Sequence, residues 1–112
     1  MTINPFAETR YEKITSRSCK KRGMRAIVSK EECTAAAIYL HLQCTAAYPK
    51  PVVCKDPIES KEKKRPHGCY FRKSNHLTWL MLDTNPANID RGFVGPGWGP
   101  DNYPICAPMP KG

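Results

Sequence analysis

The strongest periodic signal in the chain begins at Ser29. Ser29-Lys30-Glu31-Glu32 places a hydroxyl at the N-cap and a carboxylate at N3 of a helix. Two acids in the first turn also suit the positive end of the helix dipole. Cys33, Ala36, Ala37, Leu40 and Cys44 then fall at i, i+3, i+4, i+7 and i+11, a single stripe. The pattern predicts a helix over about residues 30–43, closed off by Pro49 and Pro51. Its small alanines would let that face approach another backbone closely.

A second pattern lies over residues 69–82. Cys69-Tyr70-Phe71-Arg72 and Leu77-Thr78-Trp79-Leu80-Met81-Leu82 flank the turn-forming Lys73-Ser74-Asn75-His76. Aromatic and branched residues favour a hairpin here. Leu77, Trp79 and Met81 share one face; Thr78, Leu80 and Leu82 share the other. Both faces are largely apolar, so the second strand is expected to be covered on both sides, by the helix and by the C-terminal tail. Met24 to Val28 is a weaker strand candidate, because its alternation is poor.

The remaining segments read as irregular. Pro49, Pro51, Pro57 and Pro66 break residues 49–68 into a loop whose crest is Lys61-Glu62-Lys63-Lys64-Arg65. Gly92 to Pro100 is rich in Gly and Pro but carries Phe93 and Trp98, and Tyr103-Pro104-Ile105-Cys106 pins it back. The expected fold class is a small α+β disulfide-rich domain: one main helix packed on one β-hairpin, with long irregular N- and C-terminal arms. A basic N-terminal arm (1–18), one stapled domain (19–106) and a short tail (107–112) make up the expected organisation.

The cysteines change the picture most. There are six in 112 residues, at 19, 33, 44, 54, 69 and 106, and no two form a CxxC pair. An even count at wide spacing suits three disulfides and an oxidising compartment better than a metal cage or a redox dithiol. Six cysteines allow fifteen pairings. Placement favours one of them. Cys33 and Cys69 would staple helix to hairpin, Cys44 and Cys54 would close the intervening loop, and Cys19 and Cys106 would tie the arms together. The start, Met1-Thr2-Ile3-Asn4-Pro5-Phe6, has no basic n-region and apolar h-region. The disulfide reading therefore expects a leader that precedes Met1 or a longer product.

Charge adds a second asymmetry. The formal net charge is +8, and sixteen of the eighteen Lys and Arg lie at or before Lys73. Such a distribution fits an anionic partner, or solubility alone. The crest Lys63, Lys64 and Arg65 is a candidate anion contact, although a solvated loop is the more common role of such a run. No apolar run is long enough for a transmembrane helix, and no Asn-x-Ser/Thr sequon is present.

Catalytic chemistry finds little support. His67 and Cys69 with distant His41 or His76 do not have zinc-site spacing. No Gly-x-Ser-x-Gly motif or phosphate loop is present, and paired cysteines leave no nucleophilic thiol. No cofactor and no metal are expected, and the chain is not expected to be an enzyme. Nucleic acid is not an expected partner either, because Tyr70, Phe71 and Trp79 sit in the hairpin, where packing explains them.

The order of motifs resembles an uncharacterised small cysteine-containing module of marine algae and other protists. Its pattern is matched by Ile27-Val28-Ser29-Lys30-Glu31-Glu32-Cys33-Thr34-Ala35-Ala36, Pro66-His67-Gly68-Cys69-Tyr70, Asp83-Thr84-Asn85 and Pro104-Ile105-Cys106. The resemblance spans residues 19–106 and implies no catalytic residue. Cys44 and Cys54 form an extra pair, the strand through Trp79 is more apolar than in the module, and the Gly/Pro tail is long.

The function expected from these features is that of a non-enzymatic structural or accessory subunit, secreted or in an organelle lumen. It would bind other protein subunits, acidic or membrane-associated, with Phe93, Trp98 and Tyr103 as aromatic anchors. A free-standing carbohydrate- or polyanion-binding, lectin-like module is the alternative from a different class.

Overall fold

A computed structural model describes residues 10–45, 52–95, 97 and 99–110 of the chain. In chain order it contains β1 (Glu12–Lys13), β2 (Met24–Ala26), α1 (Lys30–Tyr39), β3 (Gln43–Cys44), β4 (Val52–Val53), β5 (Ile58–Ser60), β6 (Gly68–Ser74), β7 (Leu77–Asp83) and β8 (Asp101–Pro108). Single 3-10 turns occur at Lys20–Arg22 and Pro86–Asn88. The two-residue pairs β3 and β4 form a separate small ribbon.

The helix starts as its sequence predicts. Ser29 Oγ accepts a hydrogen bond from the Glu32 backbone N–H at 3.1 Å. The reciprocal half of the capping box is absent, because the Glu32 carboxylate is taken by Arg25. The helix ends at Tyr39, four residues short of the expected 43, because His41 adopts a left-handed φ of 55°. Gln43 and Cys44 then pair with Val53 and Val52. The Cys44–Cys54 bridge closes this ribbon.

The hairpin is present, with a tighter turn than the four residues expected. Ser74 pairs with Leu77, leaving Asn75 and His76 as a two-residue loop. Asn75 has φ 56°, a conformation that asparagine tolerates and that two-residue hairpin turns use.

The principal correction concerns the arms. The sheet runs β1-β8-β6-β7-β5, with β2 also paired to β8, and is far more than one hairpin. The C-terminal segment expected to be irregular supplies β8, which lies between β1 and β6. Cys106 pairs with both Glu12 and Ala26, so β1 and β2 lie on opposite edges of β8. The N-terminal segment is likewise built in: Tyr11 and Ile14 are buried. The strand also continues past residue 106, with Ala107 fully buried, so the expected tail boundary cuts through β8.

One face of the sheet carries the main core. Cys69, Phe71, Leu80, Leu82, Ile105 and Ala107 meet Cys33, Ala36 and Ala37 of α1, with Tyr11, Ile27 and Leu42 at the edges. The two alanines have no exposed surface, consistent with the close approach their size permits. The Cys33–Cys69 bridge joins α1 to β6 within this layer. On the opposite face, the segment between β1 and β2 packs Ile14 and Cys19 against Cys106, with Met24 beside them. The Cys19–Cys106 bridge fastens it there. The three bridges link the pairs expected from placement in the sequence. Three disulfides and no free cysteine place the chain in an oxidising compartment.

Candidate interaction surface

The outer face of the sheet, opposite α1, divides into two parts. One part is roofed by loops and has a polar interior. Asp83 and Asn88 are both essentially buried there. Asn88 Nδ2 donates to Asp83 Oδ1 at 2.8 Å and to the Glu62 carbonyl at 2.6 Å. Asn85 Nδ2 donates to the Lys61 carbonyl at 2.7 Å. Two asparagine amides thus tie the charged crest, residues 61–65, to the end of β7. Tyr70 is fully buried alongside, and burial pushes its phenol pKa up, with Arg65 and Arg72 opposing the shift. The ring therefore stays neutral through physiological pH.

The other part is open. In register, Ile58 of β5 lies opposite Met81, and Arg72 of β6 lies opposite Trp79. Leu77, Trp79 and Met81 share this face, as their spacing requires. Ile58, Trp79 and Met81 with Glu62, Arg65 and Arg72 line a cleft of about 230 Å³. Trp79 and Met81 are half-buried, whereas Leu77 and Ile58 are 44% and 52% exposed. The expectation that the second hairpin strand is covered on both sides is thus corrected. Leu80 and Leu82 lie in the core, while on the Trp79 side Glu62 and Arg65 of the crest border a cleft that stays open. β5 pairs with β7 alone, so its outer edge carries no neighbouring strand among the described residues.

Charge around the cleft is organised by one ion pair. The Arg65 guanidinium contacts Glu62 Oε2 at 2.6 and 3.0 Å. This contact holds the Glu62 carboxyl below its usual range. Arg72, half-buried, adds a second guanidinium at the cleft wall.

The residues singled out in the sequence are distributed unevenly. Lys63 and Lys64 are exposed on the crest, and Arg65 faces the cleft. Phe93 and Tyr103 stack on each other with ring centroids 5.2 Å apart. Lys13 Nζ lies 5.0 Å from the Tyr103 ring centroid and 5.3 Å from that of Phe71. Tyr103 also donates to Asp101 Oδ2 at 3.2 Å. Burial and then the Asp101 charge raise its pKa. Both rings are used within the chain, and neither belongs to the cleft. Trp98 lies outside the described residues. All six cysteines are bridged. Ile58, Arg72, Trp79 and Met81 were not singled out as partner contacts from sequence. The available signal was the apolar character of both faces of Leu77 to Leu82, read there as a doubly covered strand.

Among the described residues, no three His, Cys, Asp or Glu side chains come together in a way that could hold a metal ion. No described helix is long and apolar enough to cross a membrane. Comparisons with protein-family models, curated proteins and solved structures found no match. The resemblance to the algal and protist module therefore rests on its sequence motifs alone.

Proposed function

We propose that this chain is a non-enzymatic interaction subunit that docks within a larger secreted or organelle-lumen assembly through the open face of β5 and β7. The observation that carries this reading is the apolar stripe Leu77, Trp79, Met81 and Ile58 left partly open beside Arg72. Contiguous apolar surface of this kind marks interaction sites, and Trp and Arg dominate the energetics of many of them. The unpaired edge of β5 offers backbone hydrogen bonds to an extended partner segment. Arg72 and the lysines of the crest favour a partner that is acidic around an apolar anchor.

The test uses the full chain with a photo-crosslinking residue at position 58, purified gently from its source and compared with a crosslinker at exposed Thr15. The expected result is a discrete protein adduct at position 58 alone, lost in Trp79→Ala. An adduct formed equally from both positions would sink the proposal. A glycan would use the indole of Trp79 as a platform in the same cleft. Crosslinking to carbohydrate instead of protein would therefore favour the lectin-like alternative.

A further inference from the structure

A second concavity lies on the outer face at the other end of the sheet, away from Trp79. It encloses about 310 Å³, within the range of small-molecule sites. Its walls come from the stapled segment around Cys19, from β2, from the turn after Asn88 and from the end of β8. Met24, Ala26, Ile89 and Met109 are among its apolar lining residues. Ile89 is 56% and Met109 57% exposed, so apolar surface that lines a concavity is left open to water. Two lining methionines, Met24 and Met109, are flexible and polarisable, and they adapt to an unbranched chain.

The mouth has the opposite character. Lys20, Asp90 and Arg91 are all exposed there. Lys20 reaches Asp90 only at 3.6 Å, with the two side chains 79% and 58% exposed. Such a pair is worth little in water and yields easily to another anion. The Arg91 guanidinium has no carboxylate within ion-pair distance among the described residues. His67 contributes to the wall, and its buried Nδ1 has no hydrogen-bond partner among the described residues. An apolar slot with a cationic collar selects for an amphiphile with an anionic head.

We propose that this groove binds one unbranched medium-chain fatty carboxylate. The alkyl chain lies between Met24, Ile89 and Met109, and the carboxylate meets Arg91 at the mouth. The volume admits one short chain and excludes a two-chain lipid. The proposal is independent of the docking surface at Trp79, because the two concavities share no residue.

The test is a titration of the full disulfide-bonded chain with decanoate, decanol and acetate, followed by the methyl NMR signals of Met24 and Met109. Expected are saturable one-to-one binding of decanoate, affinity for decanol about tenfold weaker, and no binding of acetate. Arg91→Gln should erase the preference for decanoate over decanol. Ile89→Trp should fill the slot and abolish binding with the thermal midpoint unchanged, since Ile89 is exposed. In the wild-type chain, methyl signals that do not respond to decanoate overturn the proposal, as does equal affinity for decanol and decanoate. Undiminished binding by Ile89→Trp overturns it too. So does a concentration-dependent dimer that Ile89→Trp abolishes, which would show that a second copy fills the groove.

Discussion

Arg25 holds the carboxylate of Glu32 with two parallel hydrogen bonds, 2.7 Å to Oε1 and 2.8 Å to Oε2. Tyr11 donates a third, at 3.2 Å. Strand β2, helix α1 and the N-terminal segment therefore meet at one buried acid. The bonds from Arg25 hold the Glu32 carboxyl below its ordinary range, although its burial acts in the other direction. A carboxyl lowered in the folded state contributes stability that is fully present above the unfolded-state pKa. That contribution is lost as pH falls through the folded-state value. Glu32→Gln should cost about 1.5–3 kcal/mol near neutrality, the range for hydrogen bonds to charged groups. It should also flatten the acid limb of the stability profile. Urea midpoints measured across the acid range check both. A variant that keeps the wild-type acid limb would show that another carboxylate controls it.

The helix N-terminus offers a separate test. Ser29→Ala removes the hydroxyl that caps the Glu32 N–H and should cost about 0.5–2 kcal/mol. Ala36→Leu adds bulk where no surface is exposed and should cost about 1–3 kcal/mol through overpacking. Chemical denaturation of the two variants checks these values. Stability retained with leucine at position 36 would mean that α1 can lift from the sheet without loss.

Two glycines mark points where backbones touch. A Cβ at Gly92 would collide with the Arg17 carbonyl, which also accepts a hydrogen bond from Phe93 N–H at 2.7 Å. A Cβ at Gly68 would collide with the Ile27 carbonyl, at a residue with φ +82°. Gly23 shares the left-handed conformation, φ +72°, but has open space around it. Gly92→Ala and Gly68→Ala should each cost roughly 2–4 kcal/mol, as steric changes in a packed site do. Gly23→Ala should cost only the conformational penalty, about 1–2 kcal/mol. Thermal midpoints of the three variants should separate into these two groups.

The helix and hairpin were legible because their signals are local. The Ser29 cap, the alanine stripe and the aromatic runs around Asn75 each occupy one short window. β8 was not legible: Pro104 and Pro108 lie in it, and proline argues against a central strand. β1 and β5 hold only two or three residues each, too few to show a period, whereas β2 falls within the weak strand candidate Met24 to Val28. The cleft at Trp79 depends on β5 lying parallel to β7, a long-range pairing that no local pattern encodes. The stapled segment over Cys106 became predictable only through the cysteines, because a covalent pairing is readable where weak packing is not.

The three disulfides close loops of very different length, and their removal should follow that order. Cys19–Cys106 spans 87 residues, Cys33–Cys69 spans 36 and Cys44–Cys54 spans 10. Loop entropy in the unfolded chain gives about 4.6, 3.8 and 2.7 kcal/mol respectively. Packing modifies the middle value. Cys33 and Cys69 are both fully buried in the main core, so replacing them also leaves a cavity there. Cys54 is also buried in that core, with Cys44 packed against it, so this deletion leaves a small cavity too, but its loop is by far the shortest. Paired Cys→Ala variants should therefore leave the Cys44–Cys54 deletion the mildest of the three, folded and with the sheet intact. Deleting Cys19–Cys106 should loosen the segment over β8, and amide exchange should quicken at Ile14 and Met24 before it does in α1. If removing the Cys44–Cys54 bridge costs as much as removing either of the others, the small ribbon is part of the folding core, and stability does not rest on the two layers packed against β8 alone.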